Sequence, residues 1–307
     1  MSPPLPNVKH LTRFSSSCAR ETRACTSLVA EKDCPPSPAL LRWGVSVHFT
    51  ILGSGSGGNC AYLETPTTRL LIDAGLSGRQ IRQRLATIAR SPETLQGILI
   101  THEHSDHIAG LPGLCARLQL PVYCNRLTGE AIEAQLQMQI NARIFETGAS
   151  FEVGDVTVDT FSVPHDANDP VGLLLHTPSG NIGVLTDLGH ATKLVVERVR
   201  AANVLLLEAN HDLKMLQDDP RRPWSLKQRI LSRHGHLSND GAADLVEQVA
   251  SPGLARLYLG HLSRDCNRPE LAFRVVSERL RRVGATHVQV EFTSQDTPSP
   301  TFLWQDL

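Results

Sequence analysis

From Val45 onward the chain alternates short apolar runs with polar breaks. The runs "VHFTILG", "CAYLET", "TRLLIDAG", "GILITH", "VYC", "VTVDTFSVPH", "VGLLLHT", "NIGVLTD", "VLLLEAN", "RLYLGH" and "HVQVEFT" are rich in Val, Ile, Leu and Thr, and they predict β-strands. Between some of them apolar residues recur at helical spacing. Ile81, Leu85 and Ile88 share one face of a helix predicted over residues 77–89, and further helices are expected to begin at His107, Thr128, Ser238 and Asn267. Pro66 with Thr67, and Pro178 through Gly180, sit between adjoining strands as hairpin turns, so the sheet is mixed rather than doubly wound. Residues 211–237 are polar and basic and read as an insertion, a loop with one helix of the kind that borders active sites.

Residues 1–44 follow neither period. They are rich in Ser, Pro, Arg and Cys and read as a disordered stretch or as an extension from a translation start placed too far upstream; Glu21, Glu31 and Asp33 weaken a transit-peptide reading. Residues 45–307 then form the folded domain. The 41% of apolar residues among 307 supplies ample core for one large domain or two small ones. A net charge of -1 excludes a globally basic nucleic-acid binder, so any contact with phosphates has to come from a local patch. Seven cysteines without C-x-x-C spacing support neither a disulfide framework nor a thiolate zinc site. With no apolar run of about 18 residues and no signal-peptide pattern, the expectation is a cytoplasmic protein without a membrane partner.

Two stretches raise chemical questions. In "ILGSGSGGNC", Gly53, Gly55 and Gly58 match the G-x-G-x-x-G spacing of dinucleotide sites, and Asp73 follows where a ribose-binding acid would stand. The context is wrong, however, because the glycines lead into a second strand and a hairpin instead of a helix within a βαβ unit. Glycines also let loops approach one another closely. The second stretch, "THEHSDHIAG", packs His102, His104, Asp106 and His107 into six residues, a density of imidazole and carboxylate that suits zinc, manganese or iron(II). Three more ligand-type side chains end predicted strands: His165 in "FSVPH", Asp187 in "IGVLTD" and His261 in "LYLGH".

Over about Val45 to Thr293 these motifs resemble the metallo-β-lactamase superfamily. That resemblance implies an α+β fold, a four-layer αββα sandwich with mixed sheets and two divalent metal ions, zinc or manganese, at one edge. Carried over residue by residue, it implies that His102, His104 and His165 hold one ion, that Asp106, His107 and His261 hold the other, and that Asp187 bridges them. Asp73 then either orients ligands from behind their loop or caps a turn. Two ions about 4 Å apart make hydroxide available at neutral pH and stabilise charge on the attacked centre, so the implied reaction is hydrolysis.

Glu208 in "LLLEAN" and His236 in "GHLSND" look like the Glu and His pair of the tRNA 3′-processing nucleases of that superfamily. There the His meets the scissile phosphate and protonates the leaving oxygen; the plainer reading of His236 is hydrogen bonding at a helix start. Ser238 caps that helix, His211 either joins the site or turns the chain, and Arg264 stands beside His261 as a phosphate contact. Lys214, Arg221, Arg222, Lys227, Arg229 and Arg233 form either a phosphate-binding patch or a solvated helix face. The run "GSGSGGN", "LIDAG", "THEHSDH", "EANHD", "LKQRILS", "GHLSN" and "GHLSRD" is similar more closely to the bacterial YycJ/WalJ type, which implies a 5′ to 3′ exonuclease acting on DNA with Asp106, Glu208 and His236 in catalysis. Other readings stay open: the same fold acting on RNA, a cyclic phosphodiester, a thioester or a lactone, an inactive nucleic-acid-binding scaffold, and a nicotinamide oxidoreductase.

Overall fold

The computed structural model describes residues 46–304; the extension expected over residues 1–44 lies outside them, as does Val45. Every apolar run marked by the pattern becomes a strand. The first sheet holds β1 (His48–Gly53), β2 (Cys60–Glu64), β3 (Arg69–Ile72), β4 (Gly97–Leu99), β5 (Pro121–Asn125) and β6 (Asn141–Phe145). The second holds β7 (Ser150–Val153), β8 (Val156–Ser162), β9 (Val171–Thr177), β10 (Gly180–Leu185), β11 (Val204–Glu208), β12 (Arg256–Gly260) and β13 (Gln289–Phe292), and β14 (Phe302–Leu303) returns to the first sheet beside β1. The helices are α1 (Gly78–Thr87), α2 (Ser105–Ile108), α3 (Leu111–Leu118), α4 (Arg126–Leu136), α5 (Lys193–Val199), α6 (Leu213–Asp218), α7 (Trp224–Ile230), α8 (Asn239–Val249) and α9 (Pro269–Arg282).

Three buried apolar clusters define four layers. Leu71, Ile98 and Val122 of the first sheet pack on Leu85, Leu114 and Ile132 of α1, α3 and α4. Phe49, Leu63, Leu175 and Val184 fill the space between the sheets. Leu257 and Leu259 of the second sheet pack on Val196, Val246 and Val276 of α5, α8 and α9. β11 shows why its sequence reads as a continuous apolar run: Val204 and Leu206 face the other sheet while Leu205 and Leu207 face the helices, so all four are buried. The architecture is an αββα sandwich.

Strand direction positions the site. β2 and β3 run antiparallel, as do β9 and β10, through the two predicted hairpins. β3 to β6 are parallel, and so are β10 to β13. β8 is antiparallel to β9, and therefore runs with β10. Parallel strands end at one edge, so the residues after β3, β4, β8, β10, β11 and β12 gather there within their sheets.

The structure corrects several expected elements. Residues 211–237 carry two short helices, α6 and α7, rather than one. β6, β7 and the two-residue β14 are strands that the pattern did not mark; all three are sheet edges, and the residues of β6 and β7 are mostly exposed or half-buried, so no apolar alternation is imposed on them. The helix expected at His107 divides into α2 and α3, and that expected at Asn267 starts at Pro269. Among the described residues no helix is long and apolar enough to cross a membrane.

Candidate metal centre

The ligand-rich loop is held by close backbone packing against two others. Asn59 N–H donates to the Asp106 carbonyl at 2.8 Å, Ala74 N–H to that of His107 at 2.8 Å, and Gly75 N–H to that of Asn59 at 2.8 Å. A Cβ on Gly75 would lie 1.5 Å from Asp106 O, and one on Gly58, whose φ is +144°, would lie 2.5 Å from Gly75 O. The glycines of "GSGSGGN" and "DAG" thus let three loops stack without side chains between them. No helix follows them to receive a pyrophosphate, because Cys60 opens β2.

Asp73, directly after β3, accepts from Thr101 N–H at 2.9 Å and from His107 Nδ1 at 2.8 Å. It therefore fixes both ends of the loop and turns His107 Nε2 outward. His165 Nδ1 donates to Gly235 O at 3.0 Å, which aims its Nε2 at the cluster, 3.2 Å from His104 Nδ1. The donor atoms of His102, His104 and His165 lie within 4.8 Å of one another, and so do those of Asp106, His107, Asp187 and His261.

The arrangement fits divalent cations. His102 Nε2 and Asp187 Oδ2 are buried and without a hydrogen bond. Asp187 Oδ2 stands 2.9 Å from His107 Nε2 in a geometry that makes none. Atoms with lone pairs that converge in a dry site call for a cation at their focus. Burial, with the neighbouring imidazole of His107, holds the His102 pKa well below its ordinary value, so that ring is neutral and able to ligate. Burial also disfavours charge on His107 and His261, but the surrounding carboxylates outweigh it and hold both pKa values well above the ordinary one. A bound cation would take the place of those protons. His102, His104 and His165 form one such donor set, and Asp106, His107, Asp187 and His261 form another, each suited to a divalent cation.

Glu208 ends β11 fully buried and joins this cluster to His236. Its Oε1 accepts from His236 Nδ1 at 2.8 Å and from His261 Nδ1 at 2.7 Å; its Oε2 accepts the N–H groups of Leu188 at 2.7 Å and Leu237 at 3.0 Å. Burial disfavours the Glu208 carboxylate, yet the two imidazoles hold its pKa below the ordinary range. The same carboxylate, with Asp187, raises the His236 pKa against the effect of burial.

The other expected residues take varied places. Ser238 Oγ is engaged at the α8 N-terminus, accepting from Gly241 N–H at 3.1 Å. His211 is buried beside it, neither ring nitrogen meets a hydrogen-bonding group, and burial lowers its pKa to about 4. Arg264 pairs with Asp296 at 2.6 Å. Of the basic run, Lys214 pairs with Asp218, Lys227 turns inward to Gln217 O, and Arg233 meets His190, while Arg221, Arg222 and Arg229 are paired with aspartates.

Three further side chains support the cluster. Thr101 hydroxyl lies 3.0 Å from His102 Nδ1, Asn59 Nδ2 lies 3.1 Å from His107 Nε2, and Ser54 hydroxyl accepts His261 N–H at 2.8 Å. The sole signal for Asn59 is its place after the glycines.

Residues 68–262 match the beta-lactamase superfamily domain. The chain belongs to that superfamily. Within it, the chain is 39% identical over 264 residues to the exodeoxyribonuclease WalJ of Streptococcus pneumoniae, covering 83% of this chain and 97% of the relative. It is 38% identical over 242 residues to the exodeoxyribonuclease YycJ of Bacillus anthracis, covering 78% of this chain and 91% of the relative. The solved structure of the metallo-beta-lactamase fold protein YhfI of Bacillus subtilis superposes with a TM-score of 0.64 at 15% identity, over 84% of this chain and 99% of that one, which places this superfamily member in the same fold.

Proposed function

We propose that this hydrolase is a binuclear metal-dependent phosphodiesterase of the cytoplasm that removes nucleotides from the 5′ end of DNA. The observation that carries the reading is the His236–Glu208 pair: a buried carboxylate holds an imidazole at the margin of a His/Asp donor cluster. The similarity to exodeoxyribonucleases over 97% and 91% of their lengths supports the choice of DNA.

When bound, two divalent ions supply Lewis acidity and an activated water. His102, His104 and His165, with Asp106, His107 and His261 and the shared Asp187, would hold them. Glu208 takes the Nδ1 proton of His236 in a hydrogen bond, which leaves His236 Nε2 as the proton carrier toward the leaving oxygen of the scissile phosphodiester. Because Glu208 stays ionised, it stabilises the imidazolium before transfer and fixes the ring in one orientation. The Asp106 side chain is 22% exposed against 3% for Asp187, so it is the carboxylate of the cluster open to the approaching substrate.

The test is hydrolysis of 5′- and 3′-labelled single-stranded and duplex DNA, with RNA in parallel, under manganese and zinc. His104→Ala and Asp187→Ala are expected to abolish hydrolysis, and His236→Ala to slow it by roughly 10² to 10⁴. Full activity of His236→Ala, or preference for a thioester or lactone, overturns the reading.

A further inference from the structure

Two cavities adjoin at Ser56, Arg222 and Ser263, and one of them reaches His236. One, of about 240 Å³, is lined by His236, Asp166, Arg229 and Leu226; the other, of about 410 Å³, by Gly57, Gln80, Arg264 and Asp296. Both share Ser56, Arg222 and Ser263, so they form one trough leading away from the donor cluster. The larger lies within, and the smaller just below, the roughly 300 to 1,000 Å³ of sites that enclose one small molecule, which gives room for about one nucleotide unit each.

The trough separates the basic residues into two sets. Arg229, Arg222 and Arg264 line it, whereas Lys214, Lys227 and Arg233 line neither cavity. Each lining arginine is paired with an aspartate. Arg229 Nε donates to Asp166 at 2.5 Å and Arg264 Nη2 to Asp296 at 2.6 Å; Arg222 reaches both Asp219 and Asp265. The pairs differ in strength. Arg264 and Asp296 are 61% and 76% exposed, and such pairs contribute little to stability, so an incoming anion displaces the carboxylate readily. Asp219 is 4% exposed and also bonds Arg221, so Arg222 is fixed where the cavities join. Phosphate oxygens accept the same charge-assisted hydrogen bonds that these carboxylates now take.

We propose that the trough is the binding path for the backbone of a single DNA strand, with Arg229, Arg222 and Arg264 as phosphate contacts and Asp296 as a carboxylate that competes for Arg264. The identity of the ligand rests on the nuclease reading; the trough itself does not. The test measures fluorescence anisotropy of a labelled ten-nucleotide single strand with phosphorothioate terminal linkages, bound to the full-length protein at several salt concentrations.

Arg222→Gln and Arg264→Gln are each expected to weaken binding about tenfold and to make the logarithmic salt dependence shallower by about 0.7. Asp296→Asn is expected to tighten binding, a gain that mere structural damage does not produce. Unchanged affinity and salt slope in both arginine variants, or weaker binding by Asp296→Asn, overturns the proposal. A protein that binds in the expected way yet cuts no nucleic acid keeps the trough and overturns the nuclease reading. A nuclease whose binding ignores Arg222 and Arg264 does the reverse.

Discussion

Glu208→Gln separates the two duties of the buried carboxylate. Glu208 accepts four hydrogen bonds, two from the Nδ1 atoms of His236 and His261 and two from the backbone at Leu188 and Leu237. An amide of the same shape has one accepting oxygen. If that oxygen keeps the backbone donors, its NH₂ group faces two imidazole N–H groups. Both rings then have to shift their proton to Nε2, and His261 Nε2, now 3.4 Å from Asp106, loses the lone pair that a cation needs. Loss of charge-assisted bonds costs about 1.5–3 kcal/mol each, so destabilisation of about 3–5 kcal/mol is expected. Affinity for the ion near Asp106, His107 and His261 should fall roughly 10- to 100-fold. Turnover on single-stranded DNA should fall by roughly 10² to 10⁴ even at saturating metal, through the His236 term. The assay combines metal stoichiometry after dialysis, a urea midpoint and turnover at increasing manganese. His236→Ala serves as the contrast, since it should lower turnover while leaving metal content intact. A Glu208→Gln protein with wild-type metal content and turnover refutes the shared-carboxylate account.

Four further outcomes are expected. Asp73→Asn leaves one accepting oxygen where two now serve Thr101 N–H and His107 Nδ1, and should lower metal affinity roughly 10- to 100-fold by isothermal titration, with unaltered affinity counting against its orienting role. Gly75→Ala drives a Cβ into the Asp106 carbonyl and should cost about 3 kcal/mol or more in chemical denaturation. Glu64, where burial opposes ionisation but Arg90 and Arg69 overcome it, has a lowered pKa; its stabilisation is therefore full above the unfolded value near 4.3 and is lost as pH falls through the folded value. Glu64→Gln should cost about 1–3 kcal/mol at pH 7, and its urea midpoint should converge with wild type as pH falls through the lowered folded value, whereas a constant gap would contradict this. Zinc or manganese at 100 times its dissociation constant should stabilise the fold by about 2.7 kcal/mol in a thermal-shift series, and chelation should reverse it.

What could be read from the sequence depended on whether a residue's role is local. The apolar runs fix the strands because each must bury a face, and the close spacing of His102, His104, Asp106 and His107 has no packing purpose. His165, Asp187 and His261 stand out because each follows a strand. β6 and β7 were invisible because edge strands bury little, and the division of residues 211–237 into two helices turns on Pro223, which precedes α7, rather than on an apolar period. Asn59 and Ser54 act across loops, and two hydrogen bonds of Glu208 join residues 28 and 53 positions away. Such pairings exist only after folding brings the strand ends and loops together.

Backbone conformation shows what that assembly does to the site. Asp73, Asp187 and His261 each follow a strand of their sheet at positive φ, 57°, 53° and 51°, a region that costs a residue with a side chain on the order of 1–3 kcal/mol. The conformation turns each chain sharply just where its side chain has to leave the sheet and enter the cluster. It persists because neighbours fix both sides: Asp73 N–H donates to Leu99 O at 2.8 Å, and His261 N–H to the Ser54 hydroxyl at 2.8 Å while its carbonyl accepts from Asn210 at 2.9 Å. The glycine loop is part of that restraint, since Ser54 and Asn59 belong to it and reach His261 and His107 respectively. Its glycines therefore serve the site without touching it: they let the loop come close enough to hold the strained end of β12 and the His107 side chain in register with the His/Asp cluster.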